Sequence, residues 1–163
     1  MPDASPPEPA VRPATATDAT DLARLRWEWR ANEGRALEMD AAEFQTRFAA
    51  WVVDHRDSHR PFVATIDGRV AGIAWLALVD RVPGPDRWER RSAMVQAVYV
   101  TPAARGAGIG RALVGALVEA AHELGCDYLT VHPSQRSFPL YQRLGFRAWD
   151  GVLELDVHAH RMR

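Results

Sequence analysis

The sequence predicts an α/β domain, a twisted mixed β-sheet flanked by helices, and three observations carry that prediction. The apolar pattern runs at helical spacing over the first third, at strand spacing over residues 62–101, and at helical spacing again from 108. The second change of period falls on a strand, Val98-Tyr99-Val100, that enters a glycine-rich loop and then a long apolar-faced helix. At 163 residues without internal repeats, the chain fits one domain with a real core.

The elements follow in the order β-α-α-β-β-β-α-β-α-β. Residues 1–10 are proline-rich with little to bury, and predict a disordered leader ahead of a domain over 11–157. A first strand starts at Val11. Asp18 reads as an N-cap, and Leu22, Leu25 and Trp29 share one face of a helix reaching about Ala31. Asp40 and Glu43 have capping-box spacing before Phe44, Phe48, Trp51 and Val52. His55 to Arg60 reads as a polar connector. Phe62–Ile66 and Val70–Val79 then form a hairpin about Asp67-Gly68. Beyond the loop at Val82–Asp86, Ala93–Thr101 is an apolar and therefore central strand.

A helix over about 108–124 ends at Gly125. Asp127–His132 is a short strand, parallel to the one before that helix if the crossover has the usual hand. Ser134–Leu144 is a short helix with Pro139 early in it. Phe146–Val157 supplies one or two last strands, and 158–163 is a tail.

Composition excludes more than it assigns. A formal net charge of -1 gives no reason to expect nucleic acid or an anionic membrane as partner. No apolar run approaches the roughly 18 residues of a spanning helix. One cysteine, Cys126, rules out an intrachain disulfide and a cysteine metal cluster, so no metal is expected and a cytoplasmic location fits. Every Lys+Arg position is arginine, which excludes a P-loop, whose lysine cannot be supplied. Alternating glycines also fit a dinucleotide fingerprint poorly.

The loop does fit Arg-x-x-Gly-x-Gly, written here Arg105-Gly106-Ala107-Gly108-Ile109-Gly110, after a Val-x-Val-x-Pro strand. This resembles the acetyl-CoA signature of the GNAT superfamily of N-acetyltransferases. Leu140-Tyr141-Gln142-Arg143-Leu144-Gly145-Phe146, about 30 residues on, resembles that family's Leu-Tyr-x-x-x-Gly-Phe. The likeness covers residues 11–157 in element order and is specific from Ala93 to Phe146.

The resemblance implies acetyl transfer from acetyl-CoA to a primary amine by direct attack. The amides of Gly106, Ala107, Gly108, Ile109, Gly110 and Arg111 would hold the pyrophosphate, and Arg105 would pair with a phosphate. Val98, Tyr99 and Val100 lie on the strand that meets pantetheine, with the main chain of Val98 and Val100 making the bonds. Tyr141 would protonate the departing thiolate. Relatives often carry an asparagine about seven residues before this tyrosine, where Ser134 or Gln135 stands here. Many also have a glutamate where this chain has Thr130, so the base is open, with His132 and Glu33 as candidates.

In this fold the acceptor, a small-molecule or peptide amine, is shaped by the first two helices and the hairpin. Trp27, Trp29, Trp75 and Trp88 fall in that region, and most are assigned to the core. A monomer or homodimer is expected. The rival reading is an acyl-CoA-sensing module without turnover, motivated by the missing asparagine and glutamate.

Overall fold

A computed structural model describes residues 9–155; the expected leader up to residue 8 and the tail lie outside them. The chain divides into two compact units, Met1–His132 and Pro133–Arg163.

The first unit holds a five-stranded sheet in sequence order: β1 (Ala10–Pro13), β2 (His59–Ile66), β3 (Arg69–Asp80), β4 (Arg91–Val100) and β5 (Leu129–Val131). The first three junctions are antiparallel and β4–β5 is parallel. Helices α1 (Ala19–Asn32) and α2 (Ala41–Asp54) precede β2, and α3 (Ile109–Glu123) crosses from β4 to β5. The mixed sheet and the order of these elements follow the sequence prediction.

Strand alternation sorts the core into two faces. Ile73, Trp75 and Tyr99 join Leu22 and Leu25 of α1, with Phe48, Trp51 and Val52 of α2 packed on them. The opposite face receives α3, whose Ile109, Leu113, Val114 and Leu117 are fully buried. Gly72 is small because α3 lies against it: a Cβ there would stand 3.0 Å from Ile109 and Leu113. Trp88 is the exposed one of the four tryptophans, at 78%, since it sits in the loop before β4.

Local chemistry sets most boundaries. Asp40 accepts from the Glu43 amide at 2.9 Å, as the capping box predicts. Asp67 and Gly68 both take positive φ, the two-residue turn that matches strand twist. Gly125 (φ 67°) ends α3 in a Schellman arrangement, with Cys126 N–H on the Ala121 carbonyl.

Asp18 does something other than cap α1. Its carboxylate takes a bidentate bond from Arg12 at 2.7 and 2.8 Å and accepts the Thr15 amide, closing the short turn ahead of the helix. The Arg12 guanidinium, first, and the Thr15 bonds hold its pKa down at about 2, against the desolvation that opposes them. Asp18 is buried, so Asp18→Ala is expected to cost about 2 kcal/mol, read as a lower urea midpoint at pH 7. A lowered folded-state pKa stabilises only the charged form. The contribution is therefore complete above the ordinary aspartate range near 3.8 and is lost as pH falls through about 2.

β2 begins at His59 rather than Phe62, because His59, Arg60 and Pro61 pair with Ala77, Leu76 and Trp75. The polar connector is thus shorter than expected, and His59 belongs to the sheet.

In the second unit α4 spans Phe138–Arg143, later than the expected start at Ser134. Proline is tolerated in a first turn, where its missing N–H has no partner to lose, and Pro139 occupies that place. Ser134 to Ser137 form a turn instead, with Ser137 and Phe138 amides on the Ser134 carbonyl. No strand forms over residues 146–155, which corrects the expected last strands as far as the described residues reach. Val152, Leu153 and Leu155 are exposed there, so no buried face fixes a register.

Candidate active site

The site is built where β4 changes character. Gly72 and Ile73 pair with Val100 and Tyr99, but Trp75 pairs with Gln96, so Ala97 and Val98 together oppose Ala74. This is a β-bulge, and Ala97 takes φ 51° to make it. On its other edge β4 pairs with β5 only at Ala93, Met94 and Val95. β5 ends at Val131, so from Gln96 onward that edge of β4 has no strand partner among the described residues.

Alternation decides which backbone groups this edge presents. The Thr101 amide reaches across to Ala71 on β3. Val100, one residue earlier, and Val98 therefore direct N–H and C=O to the open edge. Arg105 Nε already donates to the Val100 carbonyl at 3.2 Å, which fixes the arginine beside that edge. Tyr99 turns the other way: its backbone lies opposite Ile73, and its ring stacks on Trp29 at 5.7 Å. Its hydroxyl donates to Glu28 at 2.8 Å, so its side chain serves the α1 face.

Beyond β4 the chain turns through Pro102–Ala104 and reaches the glycines. Gly106 (φ 88°) and Gly108 (φ 78°) adopt the left-handed region, which a side chain resists. A Cβ added at either would meet nothing within 4 Å. The left-handed turns are thus needed for the path of the chain, and the space beside them is open. The first bond of α3 runs from the Ala112 amide to the Gly108 carbonyl. The amides of Ile109, Gly110 and Arg111 precede it, as unpaired first-turn donors of a 15-residue helix do, and Ala107 completes the loop. This chemistry suits a ligand with phosphate oxygens at one end and a thin arm running along β4.

The cavity beside the bulge completes the unit. About 460 Å³ in volume, it is lined by Met39, Phe44, Phe48, Trp51 and Trp75, by Gln96 and Ala97 at the bulge, and by Arg26, Arg47 and His59. Trp51 stacks on His55 at 4.3 Å and meets His59 edge-on at 4.9 Å. Burial, first, and the neighbouring His55 hold His59 below the usual imidazole range. Its Nδ1 lies 2.9 Å from the Ser58 hydroxyl. His59 was missed because the sequence read its stretch as a connector. The signal was there in His55 and His59, four apart across the helix-to-strand junction.

The two base candidates fare differently. Glu33, after the last residue of α1, pairs with Arg30 at 2.9 Å and Arg35 at 3.2 Å. The Arg30 bond lowers its pKa, so Glu33 is held ionised as a salt-bridge partner and is a weakened proton acceptor. His132 is exposed and stands one residue past Val131, where the pairing with β4 stops. Thr130, at the position where a glutamate was sought, donates its hydroxyl to the Ala93 carbonyl. In the second unit the Ser134 hydroxyl is taken up by Ser137, at 2.9 Å from its Oγ. Tyr141 is buried on α4, its ring edge-on to Phe146 at 5.4 Å, and burial raises its phenol pKa.

Comparison with known proteins agrees with this geometry. A glucosamine 6-phosphate N-acetyltransferase of Trypanosoma brucei brucei is 37% identical over 90 residues, which are 55% of this chain and 59% of that relative. The match therefore spans less than two thirds of the relative's length. A solved acetyltransferase of Trypanosoma brucei superposes with a TM-score of 0.70 at 27% identity, over 92% of this chain and 100% of that one. A predicted acetyltransferase of Clostridium acetobutylicum, solved with acetyl-CoA, shares the fold with a TM-score of 0.75 at 22% identity, over 93% and 98%. The family model described as Acetyltransferase (GNAT) family matches residues 20–146. That match covers more than half of the chain, including the bulged β4 and the glycine loop, and the chain belongs to the acetyltransferase (GNAT) family.

Proposed function

We propose that the protein transfers an acetyl group from acetyl-CoA to the primary amine of a small acceptor by direct attack. The observation that carries this reading is the continuity of three features in one unit. First-turn amides begin α3, the bulged edge of β4 has no strand partner from Gln96 among the described residues, and a cavity is lined at that bulge by Gln96 and Ala97. The first two suit the phosphates and arm of CoA, and the third suits an amine brought to the thioester end.

The amine must lose a proton to attack. Arg26, Arg47 and His59 are the titratable groups among the described lining residues, and His59 alone of these can accept a proton near neutral pH. His59 takes the role for which Glu33 and His132 were candidates. A lowered pKa keeps the imidazole neutral to lower pH, so the acid limb of the pH–rate profile is expected below the ordinary histidine value of about 6.5. In His59→Gln that limb disappears and turnover falls by about 100-fold; an unmoved limb would remove His59 from this role. Tyr141, kept protonated by its surroundings, supplies the proton to the leaving thiolate.

The name of the trypanosomal relative supports an amino sugar phosphate as one acceptor to try, and the test is a panel. Thiol release from acetyl-CoA is followed with amino sugars, amino acids, simple amines and peptides. Acceptor-dependent release supports the transferase; tight CoA binding without release to any amine favours the sensing module. A thermal shift with ATP or NAD and none with CoA would overturn both.

A further inference from the structure

Arg26 is a cation in an unusual place. It lines the aromatic cavity and has its guanidinium 4.9 Å over the Trp29 ring. Among the described residues no carboxylate stands within ion-pair distance of it, although the neighbouring arginines are paired. Arg24 pairs with Asp21, Arg30 with Glu33, and Arg47 with Glu43. Glu33, whose charge does reach Arg26, is held by Arg30 and Arg35 instead. A half-buried arginine that shares its cavity with Phe44, Phe48, Trp51 and Trp75 is poorly hydrated, and among the described residues it lacks a fixed counter-charge. Burial accordingly shifts its pKa down.

We propose that Arg26 is the anchor for an anionic group on the acceptor, and that the acceptor class is a primary amine with a carboxylate on an aromatic or branched apolar body. The inference rests on the acetyl-transfer reading for the amine, and on the cavity alone for the rest. The planar fork of arginine matches a carboxylate with two parallel bonds, which a solvated surface arginine would have little reason to reserve. The aromatic walls then take the body of the ligand, while Gln96 and Ala97 bound the end nearest β4. Arg47 also borders the cavity but is already paired with Glu43 on an exposed helix face. Its share is smaller.

The experiment uses matched pairs on the full chain. L-phenylalanine against phenethylamine, and L-tryptophan against tryptamine, differ only in the carboxylate. Glucosamine 6-phosphate keeps an anion but replaces the apolar body by a polyol. The carboxylated amines are expected to exceed their partners in kcat/KM by about 10- to 100-fold and to exceed glucosamine 6-phosphate. Arg26→Gln should lower kcat/KM for the carboxylated amines by about 10- to 100-fold, far more than for phenethylamine, while CoA affinity stays unchanged; Arg47→Gln should reduce the preference by only a few-fold. Equal use of the decarboxylated amines, or a preference that survives Arg26→Gln, would overturn the anchor. A preference for glucosamine 6-phosphate would overturn the apolar body.

Calorimetric titration of phenylalanine and phenethylamine into the CoA-bound protein reads binding without turnover. If no amine is acetylated, the transferase reading fails on its own. Carboxylate-dependent binding would then still uphold Arg26, and its absence would overturn it. Arg26→Lys, which keeps the charge and loses the fork, is expected to recover only part of the preference. It also stands in should the glutamine variant fail to fold.

Discussion

Gly108→Val is expected to lower CoA affinity by more than about 100-fold, measured by calorimetry. Gly108 sits at φ 78° immediately before α3, and its carbonyl accepts the first intrahelical bond. Valine resists that conformation at a cost of about 1–2 kcal/mol, but its Cβ would meet no protein atom within 4 Å. The fold therefore loses only the conformational strain, seen as a modest drop in Tm. The larger effect falls on the ligand, because the side chain enters the open space where phosphate oxygens would approach the first-turn amides. Several charge-assisted bonds, each contributing about 1.5–3 kcal/mol, are lost together. Unaltered affinity would place the phosphates elsewhere.

Tyr141→Phe is expected to lower kcat by about 100-fold while the CoA dissociation constant changes by less than about twofold. The substitution deletes one hydroxyl and keeps the ring that packs on Phe146. Burial raises the phenol pKa, so Tyr141 stays protonated well into alkaline pH, as the proposed proton donor to the thiolate must. The alkaline limb of the wild-type pH–rate profile should accordingly lie above the ordinary tyrosine value of about 10 and vanish in the phenylalanine variant. Unaltered turnover would remove Tyr141 from the reaction.

Both predictions concern positions that the sequence marks strongly. Glycines at alternate positions before an amphipathic helix require backbone that only glycine adopts easily, and Gly106 and Gly108 do adopt it. The Asp40 cap, the Asp67-Gly68 turn and the Gly125 stop were legible for the same reason: each is decided by a few neighbouring residues. Asp18 was harder, since its role depends on Arg12 six residues away as well as on its own helix. The strands expected beyond Phe146 illustrate the limit. Apolar residues at strand spacing form a strand only if a partner edge and a buried face exist, and Val152, Leu153 and Leu155 have neither among the described residues.

The aromatic cavity was the least legible feature. Arg26, Met39, Phe44, Trp51, His59 and Gln96 come from two helices, the segment between them and two strands, and nothing in their spacing announces one cavity. The sequence places His59 in a polar connector and singles out nothing at Arg26, and packing takes both partly out of water. That burial lowers the pKa of both, and among the described residues no carboxylate pairs with Arg26. The sequence by itself determined the glycine loop and the helix it opens, because left-handed turns before a helix start are local backbone chemistry written in consecutive residues. The bulge at Ala97, the end of β4–β5 pairing at Val95 and the aromatic cavity with its arginine were decided only in the tertiary structure. They arise from register, pairing and burial, which are properties of elements brought together and not of any one stretch.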